Sequence, residues 1–161
     1  MSFDLFLQRF HEGAVSAASK ETVLRTLRRF TEVSVDQFGF YLVRLNDGSN
    51  AELSSLELEG EGIFSSCAFH LRDFTPEVFR LVFELAVAGN MVAINPQSDG
   101  SPENPTAILF AESQREHLPA ELVDSSALAS SVKQFAALLH AAISSWQHYR
   151  ARVVDEKSEE P

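Results

Sequence analysis

Cysteine is nearly absent from this sequence, since Cys67 is the only one in 161 residues. A single cysteine cannot form an intrachain disulfide, so folding needs no oxidation and a cytoplasmic location is expected. Long apolar runs are also lacking, because nowhere do about 18 apolar residues follow one another as a membrane-spanning helix requires. The opening residues, MSFDLFLQRF, have neither the basic segment nor the continuous apolar stretch of a signal peptide.

Positive charge is scarce, since 13 Lys and Arg residues stand against 23 Asp and Glu residues and give a formal net charge of -10. Sequence-independent binding of nucleic acid needs clustered Lys and Arg at the phosphates, so we expect no nucleic-acid partner. Binding to an anionic membrane surface is disfavoured for the same reason. The charge favours solubility and suits a basic protein partner.

Phenylalanine supplies much of the expected core, because the chain has 13 of them and 45% of all residues are hydrophobic. This length and composition are typical of one domain. We predict a single domain over residues 1–152, followed by a charged, disordered tail over residues 153–161.

The spacing of apolar residues predicts an α+β fold with the element order β-α-βββ-α-ββ-α. Alternation such as that of Phe3, Leu5 and Leu7 indicates strands, and helical spacing indicates helices. Asn46-Asp47-Gly48 predicts a tight hairpin turn. We therefore expect a single domain with an antiparallel-rich sheet and helices packed on it. The predicted strands are 2–9, 38–45, 50–59, 63–72, 91–94 and 106–110, and the predicted helices are 19–30, 75–88 and 126–150.

Residues that favour helix ends flank the first two predicted helices. Ser19 and Thr75 are typical N-cap residues, and Pro76 follows at the first helical position. Gly89 is placed to end the second helix as its C′ residue, where a left-handed backbone is common. Phe79 and Phe83 lie on the apolar side of this helix and are predicted to be buried.

The predicted carboxyl-terminal helix carries an apolar stripe in which spacings of four and three residues alternate. Two interpretations are open: the helix lies across the sheet, or the stripe is the seam of a homodimer or of a partner helix. The first is favoured because an amphipathic helix usually covers its own core. The stripe consists of Leu128, Val132, Phe135, Leu139, Ala142, Trp146 and Tyr149.

The sequence offers no recognisable catalytic or metal-binding motif. Its five histidines lack the spacing of a metal site, and one cysteine cannot complete a zinc cluster. Cys67 and His70 fall on opposite faces of their predicted strand, so they cannot form a dyad unless another strand supplies a partner. Serine-hydrolase and phosphate-loop motifs are missing too. We therefore expect no enzyme activity, no metal and no cofactor, and we expect Cys67 to be a core residue.

Three glutamates, Glu57, Glu59 and Glu61, are spaced two residues apart. On an extended strand their side chains would project from the same side, about 6.5–7 Å apart. Two interpretations are open: a solvated sheet face that keeps the protein soluble, or a docking surface for a basic protein. The first is the more common role of such charges. The segment 97–105 is rich in loop-forming residues and is predicted to be mobile, which makes it a second and weaker candidate for binding.

Several stretches resemble a family of small uncharacterised bacterial proteins that open with MSFDxxLQxF, namely MSFDLFLQRF, FGFYLVRLNDGS, CAFHLRDFTPE, FELAVAGNMV and QREHLP. This resemblance implies no activity. After the first strand, the order α-βββ-α-ββ-α is similar to the fold of type III secretion chaperones, which are small, acidic and often dimeric. The segment LPAELVDSSALASSVKQF with Trp146 adds to that likeness, and the additional first strand departs from it. Small acidic proteins of this type also resemble immunity proteins that neutralise basic toxins.

These observations predict a non-catalytic, cytoplasmic protein-binding module. Immunity to a basic toxin is the leading version and secretion chaperoning the second, and a homodimer is compatible with both. The alternative is a small-molecule-binding protein or an enzyme whose pocket the sequence does not reveal.

Overall fold

The amino-terminal strand, β1 (Phe3–Gln8), lies at the centre of an eight-stranded sheet and is paired antiparallel on both sides. Its alternate residues Phe3, Leu5 and Leu7 are fully buried, which explains why this apolar alternation forms a strand. The other strands are β2 (Phe10–His11), β3 (Ala14–Val15), β4 (Glu32–Val35), β5 (Phe40–Arg44), β6 (Asn50–Ser54), β7 (Ser66–Leu71), β8 (Val92–Ile94), β9 (Ala107–Leu109) and β10 (Ser126–Leu128).

The computed structural model describes residues 1–30 and 32–158 of the chain. Its α-helices are α1 (Lys20–Leu27), α2 (Pro76–Gly89), α3 (Ala120–Val123) and α4 (Val132–Ser158), and 3₁₀ helices form at Leu56–Leu58 and Glu112–His117. The strand order across the sheet is β10-β9-β8-β1-β7-β6-β5-β4, while β2 and β3 form a separate two-stranded ribbon. Neighbouring strands are antiparallel except β9 and β10, which are parallel. The predicted α+β fold with an antiparallel-rich sheet is confirmed.

Helices α1, α2 and α4 cover one face of the sheet and enclose the main hydrophobic core. Aromatic rings meet edge to face there: the centroid of Phe135 lies 6.2 Å from that of Phe79 and 5.3 Å from that of Phe110. The rings of Phe3 and Trp146 meet in the same way at 6.3 Å. Phe79 is buried as predicted, whereas Phe83 is only partly buried, with its ring centroid 5.2 Å from that of Phe110. Most of the carboxyl-terminal stripe is therefore buried within the chain, which confirms the interpretation that this helix covers its own core.

The predicted helix starts are confirmed by their caps. The hydroxyl of Ser19 accepts a hydrogen bond from the backbone N–H of Thr22, and the hydroxyl of Thr75 accepts one from Val78, each at 3.3 Å. Each bond satisfies one of the N–H groups that lack an intrahelical partner at a helix start.

The predicted C′ role of Gly89 is wrong, because Gly89 is the last residue of α2 and Asn90 takes the left-handed position with a φ of 49°. Gly89 is needed for packing instead. A Cβ at this position would lie 3.0 Å from a methyl carbon of Val23 and closer still to Met91. The missing side chain lets α1 and α2 approach each other closely.

Among the residues that the structure describes, those that cover the other face of the sheet lie at its β8–β10 end, where α3 and the preceding segment form a small second core with Val92, Ala107, Leu109 and Leu118. Along β1, β7, β6, β5 and β4 the same face carries side chains that are exposed or partly exposed. We call this surface the open face. The side chains that matter below are Asp4, Phe6, Phe40, Leu42, Glu52, Ser54, Ala68 and His70.

Several predicted boundaries are wrong. The strand predicted over 50–59 ends at Ser54, because the chain then turns into a 3₁₀ helix. The helix predicted from residue 126 starts at Val132, and the residues before it form β10. Residues 153–158, predicted to be disordered, continue α4, and residues 159–161 lie outside the described residues.

The segment 97–105, predicted to be a mobile loop, forms hydrogen bonds within itself and to the end of β8. Within and beside it, the side-chain amide of Asn95 donates to Oδ1 of Asn104 at 3.2 Å, and the hydroxyl of Ser98 donates to the backbone carbonyl of Asn104 at 2.7 Å. Asn95 is fully buried, so these bonds satisfy polar groups that water does not reach.

Candidate functional site

The three predicted docking residues, Glu57, Glu59 and Glu61, lie in and after the 3₁₀ helix Leu56–Leu58 and not on a strand. The strand geometry that would align them is therefore wrong. The first leucine of this helix is exposed and the last is buried, as its threefold turn requires and an extended strand would not allow. All three carboxylates are nevertheless exposed to solvent.

Apolar side chains surround these carboxylates at one end of the sheet. Among the large hydrophobic side chains of the described residues, Phe38, Leu56 and Ile63 are the most exposed, at 63%, 67% and 78%. The turn before β5 and the 3₁₀ helix are adjacent, because the backbone N–H of Ser55 donates to the carbonyl of Gly39 at 3.0 Å. We call this surface the acidic end and define it by Asp36, Phe38, Leu56, Glu57, Glu59, Glu61 and Ile63.

Tyr41 fixes one of the carboxylates of the acidic end. Its hydroxyl donates a hydrogen bond of 2.6 Å to Oε1 of Glu59. Burial of the Tyr41 ring, and next this hydrogen bond, raise the pKa of Tyr41 well above its ordinary value. Tyr41 therefore stays protonated and continues to hold the carboxylate at neutral pH.

Lys20 ties the loop of the acidic end to α1. Its ammonium group donates to the backbone carbonyls of Gly60 and Gly62, the latter at 2.8 Å. The loop between Glu57 and Ile63 is thus held by a side chain from the helical layer. This cation is occupied by carbonyl groups, so it leaves the glutamate side chains available to a partner.

A second constellation lies on the open face, where three neighbouring strands contribute one polar side chain each. Asp4 on β1 is directly opposite His70 on β7, and its Oδ1 lies 2.9 Å from Nδ1 of His70. Nε2 of the same imidazole lies 3.0 Å from the hydroxyl oxygen of Ser54 on β6. The hydroxyl of Ser2 also donates to Oδ1 of Asp4, at 2.8 Å.

These contacts determine the tautomer of a neutral His70. An ionised carboxylate can only accept hydrogen bonds, so Nδ1 carries the proton and donates it to Asp4. Nε2 then presents its lone pair to Ser54, whose hydroxyl donates. The order carboxylate, imidazole, serine hydroxyl is the arrangement in which an imidazole accepts the proton of a nucleophilic serine.

The neighbouring side chains leave this chain of hydrogen bonds intact. Glu52 is directly opposite His70 on β6, but its carboxylate accepts a hydrogen bond from Arg72 at 2.8 Å instead. Phe40 is opposite Ser54 on β5, and its ring centroid lies 6.1 Å from that of the imidazole. The His70 and Asp4 side chains retain 25% and 40% of their accessibility, so solutes can reach them.

The sequence interpretation missed this constellation because its members are far apart in the chain. Asp4 and His70 are separated by 66 positions, and Ser54 and His70 by 16. One signal was available: if Cys67 faces the core, then His70 faces the other side of the sheet, where adjacent strands can supply partners. Which strands are adjacent is not encoded in any local pattern.

Cys67 is buried in the main core, as predicted, and burial raises the pKa of its thiol to about 12. We predict that iodoacetamide will leave Cys67 unmodified at pH 8 in the folded protein, because the reactive thiolate is scarce and inaccessible. Mass spectrometry should detect full modification once the chain is unfolded in guanidinium chloride. Fast modification of the folded protein would contradict this placement of Cys67.

Within residues 1–30 and 32–158, no group of three or more His, Cys, Asp or Glu side chains is placed to hold a metal ion. In that same part of the chain, no helix has the length and apolar character needed to cross a membrane. Comparisons of the chain with protein-family models, with curated proteins and with solved structures found no match.

Proposed function

We propose that the protein binds a basic protein partner through the acidic end. One observation carries this proposal: the three large hydrophobic side chains that are most exposed among the described residues lie beside three exposed glutamates. Apolar side chains that are exposed together commonly mark interaction sites. Binding at this surface makes and breaks no covalent bond, and a cytoplasmic location suits a chain whose one thiol is unpaired.

The negative charge of the acidic end favours a positively charged partner. Four carboxylates, those of Asp36, Glu57, Glu59 and Glu61, lie at the acidic end of a chain whose net charge is -10. A segment with cationic and apolar side chains would satisfy both features of this surface. Opposite charges would speed the encounter and fix the orientation, and burial of the apolar groups would slow dissociation.

Two kinds of protein present such a segment. A toxin whose basic active region is blocked by an immunity protein is the version we favour, and a secreted protein held by its chaperone is the second. An immunity protein binds its partner folded, whereas a secretion chaperone binds an extended segment of it. The chemistry at the acidic end is the same for both.

The proposal predicts the behaviour of the triple variant Glu57→Gln, Glu59→Gln, Glu61→Gln. A fluorescent amphipathic peptide of lysine and leucine is the probe, and its glutamate–leucine counterpart is the negative control. The variant should bind the cationic peptide with an association rate about tenfold lower at low salt and with a weaker dependence on salt. Stopped-flow fluorescence at two ionic strengths measures both quantities.

A matched control removes the same charge elsewhere. The control is the triple variant Glu103→Gln, Glu116→Gln, Glu121→Gln, which changes three other exposed glutamates. Its association rate should be much closer to that of the wild type.

Ile63→Ser should instead speed dissociation, with little change in fold stability because Ile63 is 78% exposed. Equal association rates for the two triple variants would refute the role of the acidic end.

A further inference from the structure

We propose that Ser54 is a nucleophile activated by His70 and Asp4, and that it takes acyl groups from activated esters of small carboxylic acids. This activity goes beyond the proposed binding function and uses a different surface, the open face. The contacts of 3.0 Å between Ser54 and His70 and 2.9 Å between His70 and Asp4 carry the inference.

The geometry assigns each residue one role. His70 can accept the hydroxyl proton of Ser54 through Nε2, so it is the general base. Asp4 accepts hydrogen bonds from the imidazole and from Ser2 and is not part of the hydrogen bond that reaches Ser54, so it is a positioning residue that keeps the proton on Nδ1. Ser54 is itself partly exposed, as are the imidazole and the carboxylate, so a small substrate can approach this group of side chains.

The reaction is an acyl transfer that conserves charge and involves no oxidation or reduction. The Ser54 oxygen forms a bond to the ester carbonyl carbon while its proton moves to Nε2 of His70. The bond from that carbon to the leaving oxygen then breaks, and His70 returns the proton to the leaving group. Water then attacks the acyl carbon while its proton moves to Nε2 of His70. The bond from that carbon to the Ser54 oxygen breaks, His70 returns the proton to Ser54, and the carboxylic acid leaves.

The surroundings of Ser54 define the substrate class. Ala68 is opposite Ser54 on β7, and Phe6 is opposite Ala68 on β1, so a short apolar space lies beside the hydroxyl. On the other side, Phe40, together with Leu42, lines a shallow depression that suits an aromatic leaving group. An acyl chain longer than a few carbons would extend off this flat face into solvent.

The pairing of β6 within the sheet limits the rate of acyl transfer, so we expect only activated esters to react. Strand β6 is paired on both sides, and the N–H that follows Ser54, that of Ser55, donates to the carbonyl of Gly39. Backbone N–H groups that serve a sheet are not free to stabilise an oxyanion, a contribution usually worth about 10²–10³ in rate. Aryl esters depend least on stabilisation of the oxyanion, because their leaving group departs readily.

The test uses a fluorophosphonate probe, which phosphonylates an activated serine as the P–F bond breaks and fluoride leaves. We expect peptide mapping by mass spectrometry to place the adduct on Ser54. Ser54→Ala should abolish this labelling, and His70→Asn should slow it by about 10² or more. Ser145→Ala, a change at an exposed serine of α4 that lies away from the open face, should have no effect.

The variant Asp4→Asn distinguishes a role of Asp4 in positioning His70 from a role in stabilising the fold. Asparagine keeps the shape of the side chain but removes the charge that sets the tautomer of the imidazole. It should slow labelling by about 10² or more while the circular dichroism spectrum stays unchanged, and Asp4→Glu should restore part of the rate. Hydrolysis of p-nitrophenyl acetate should follow the same ranking of variants.

Two results would overturn the proposal: no adduct on Ser54 in the folded wild-type protein, or labelling at equal rates in the wild type and in folded His70→Asn. In either case the three side chains would be a structural hydrogen-bond network of the sheet. Neither result bears on the binding of the cationic peptide, so the two proposals fail independently.

Discussion

Replacement of Phe135 by alanine is expected to lower the free energy of unfolding by about 3–5 kcal/mol. Phe135 is fully buried on α4, and its ring meets those of Phe79 and Phe110 edge to face. Truncation removes the transfer free energy of the ring and leaves a cavity that the sheet below cannot fill. Urea denaturation followed by circular dichroism measures the change.

Tyr149 provides the matched control, because it is an aromatic residue on the same helix and is 51% exposed. Tyr149→Ala should change the free energy of unfolding by about 0.5 kcal/mol or less. A loss below about 1 kcal/mol for Phe135→Ala would mean that α4 does not pack on the core as described.

The second large effect is expected at Gln114, a buried polar side chain in the 3₁₀ helix Glu112–His117. Its carbonyl oxygen accepts hydrogen bonds from the backbone N–H groups of Phe110 and Ala111, at 2.8 and 3.1 Å. Its amide donates to Oδ1 of Asn90 at 3.0 Å and to the carbonyl of Met91 at 3.2 Å. Four hydrogen bonds thus join the end of β9 to the end of α2.

Gln114→Met keeps the size of this side chain and removes all four bonds. We expect a loss of about 2–3 kcal/mol in the free energy of unfolding, because buried polar groups are left without partners. Gln147→Met, at an exposed position of α4, should be nearly neutral by comparison. A similar value for both variants in denaturant titrations would show that the Gln114 bonds contribute little.

The main elements of the fold could be predicted because their signals are local. Alternation identified β1, Ser19 and Thr75 identified helix starts, and Asn46-Asp47-Gly48 identified the hairpin turn. Each of these signals depends on the conformational preference of a few adjacent residues. They do not specify which strand is adjacent to which in the sheet.

The errors also have local causes. Leu56 and Leu58 alternate with glutamates as in a strand, but the glycines that follow allow the chain to turn, and burial of Leu58 alone stabilises a 3₁₀ turn. Ser126–Leu128 was predicted as helix because Leu128 continues the helical spacing, whereas pairing with β9 makes it a strand. Tertiary pairing here outweighs local spacing.

The two candidate surfaces differ in how far sequence could reveal them. The acidic end is composed of residues close in the chain, so Glu57, Glu59 and Glu61 could be singled out even though their local geometry was wrong. The Ser54–His70–Asp4 arrangement depends on β1 lying beside β7 and β7 beside β6. Only the assembled sheet brings these three residues together.

The central position of β1 has a consequence for biosynthesis. β1 leaves the ribosome before β7 and β8, the two strands with which it pairs. Until these strands are made, Phe3, Leu5 and Leu7 have no sheet to join, and contacts between such distant residues form slowly. A nascent chain that stops before residue 92 therefore leaves one edge of this apolar strand without its partner β8, and an unpaired strand edge is prone to aggregation.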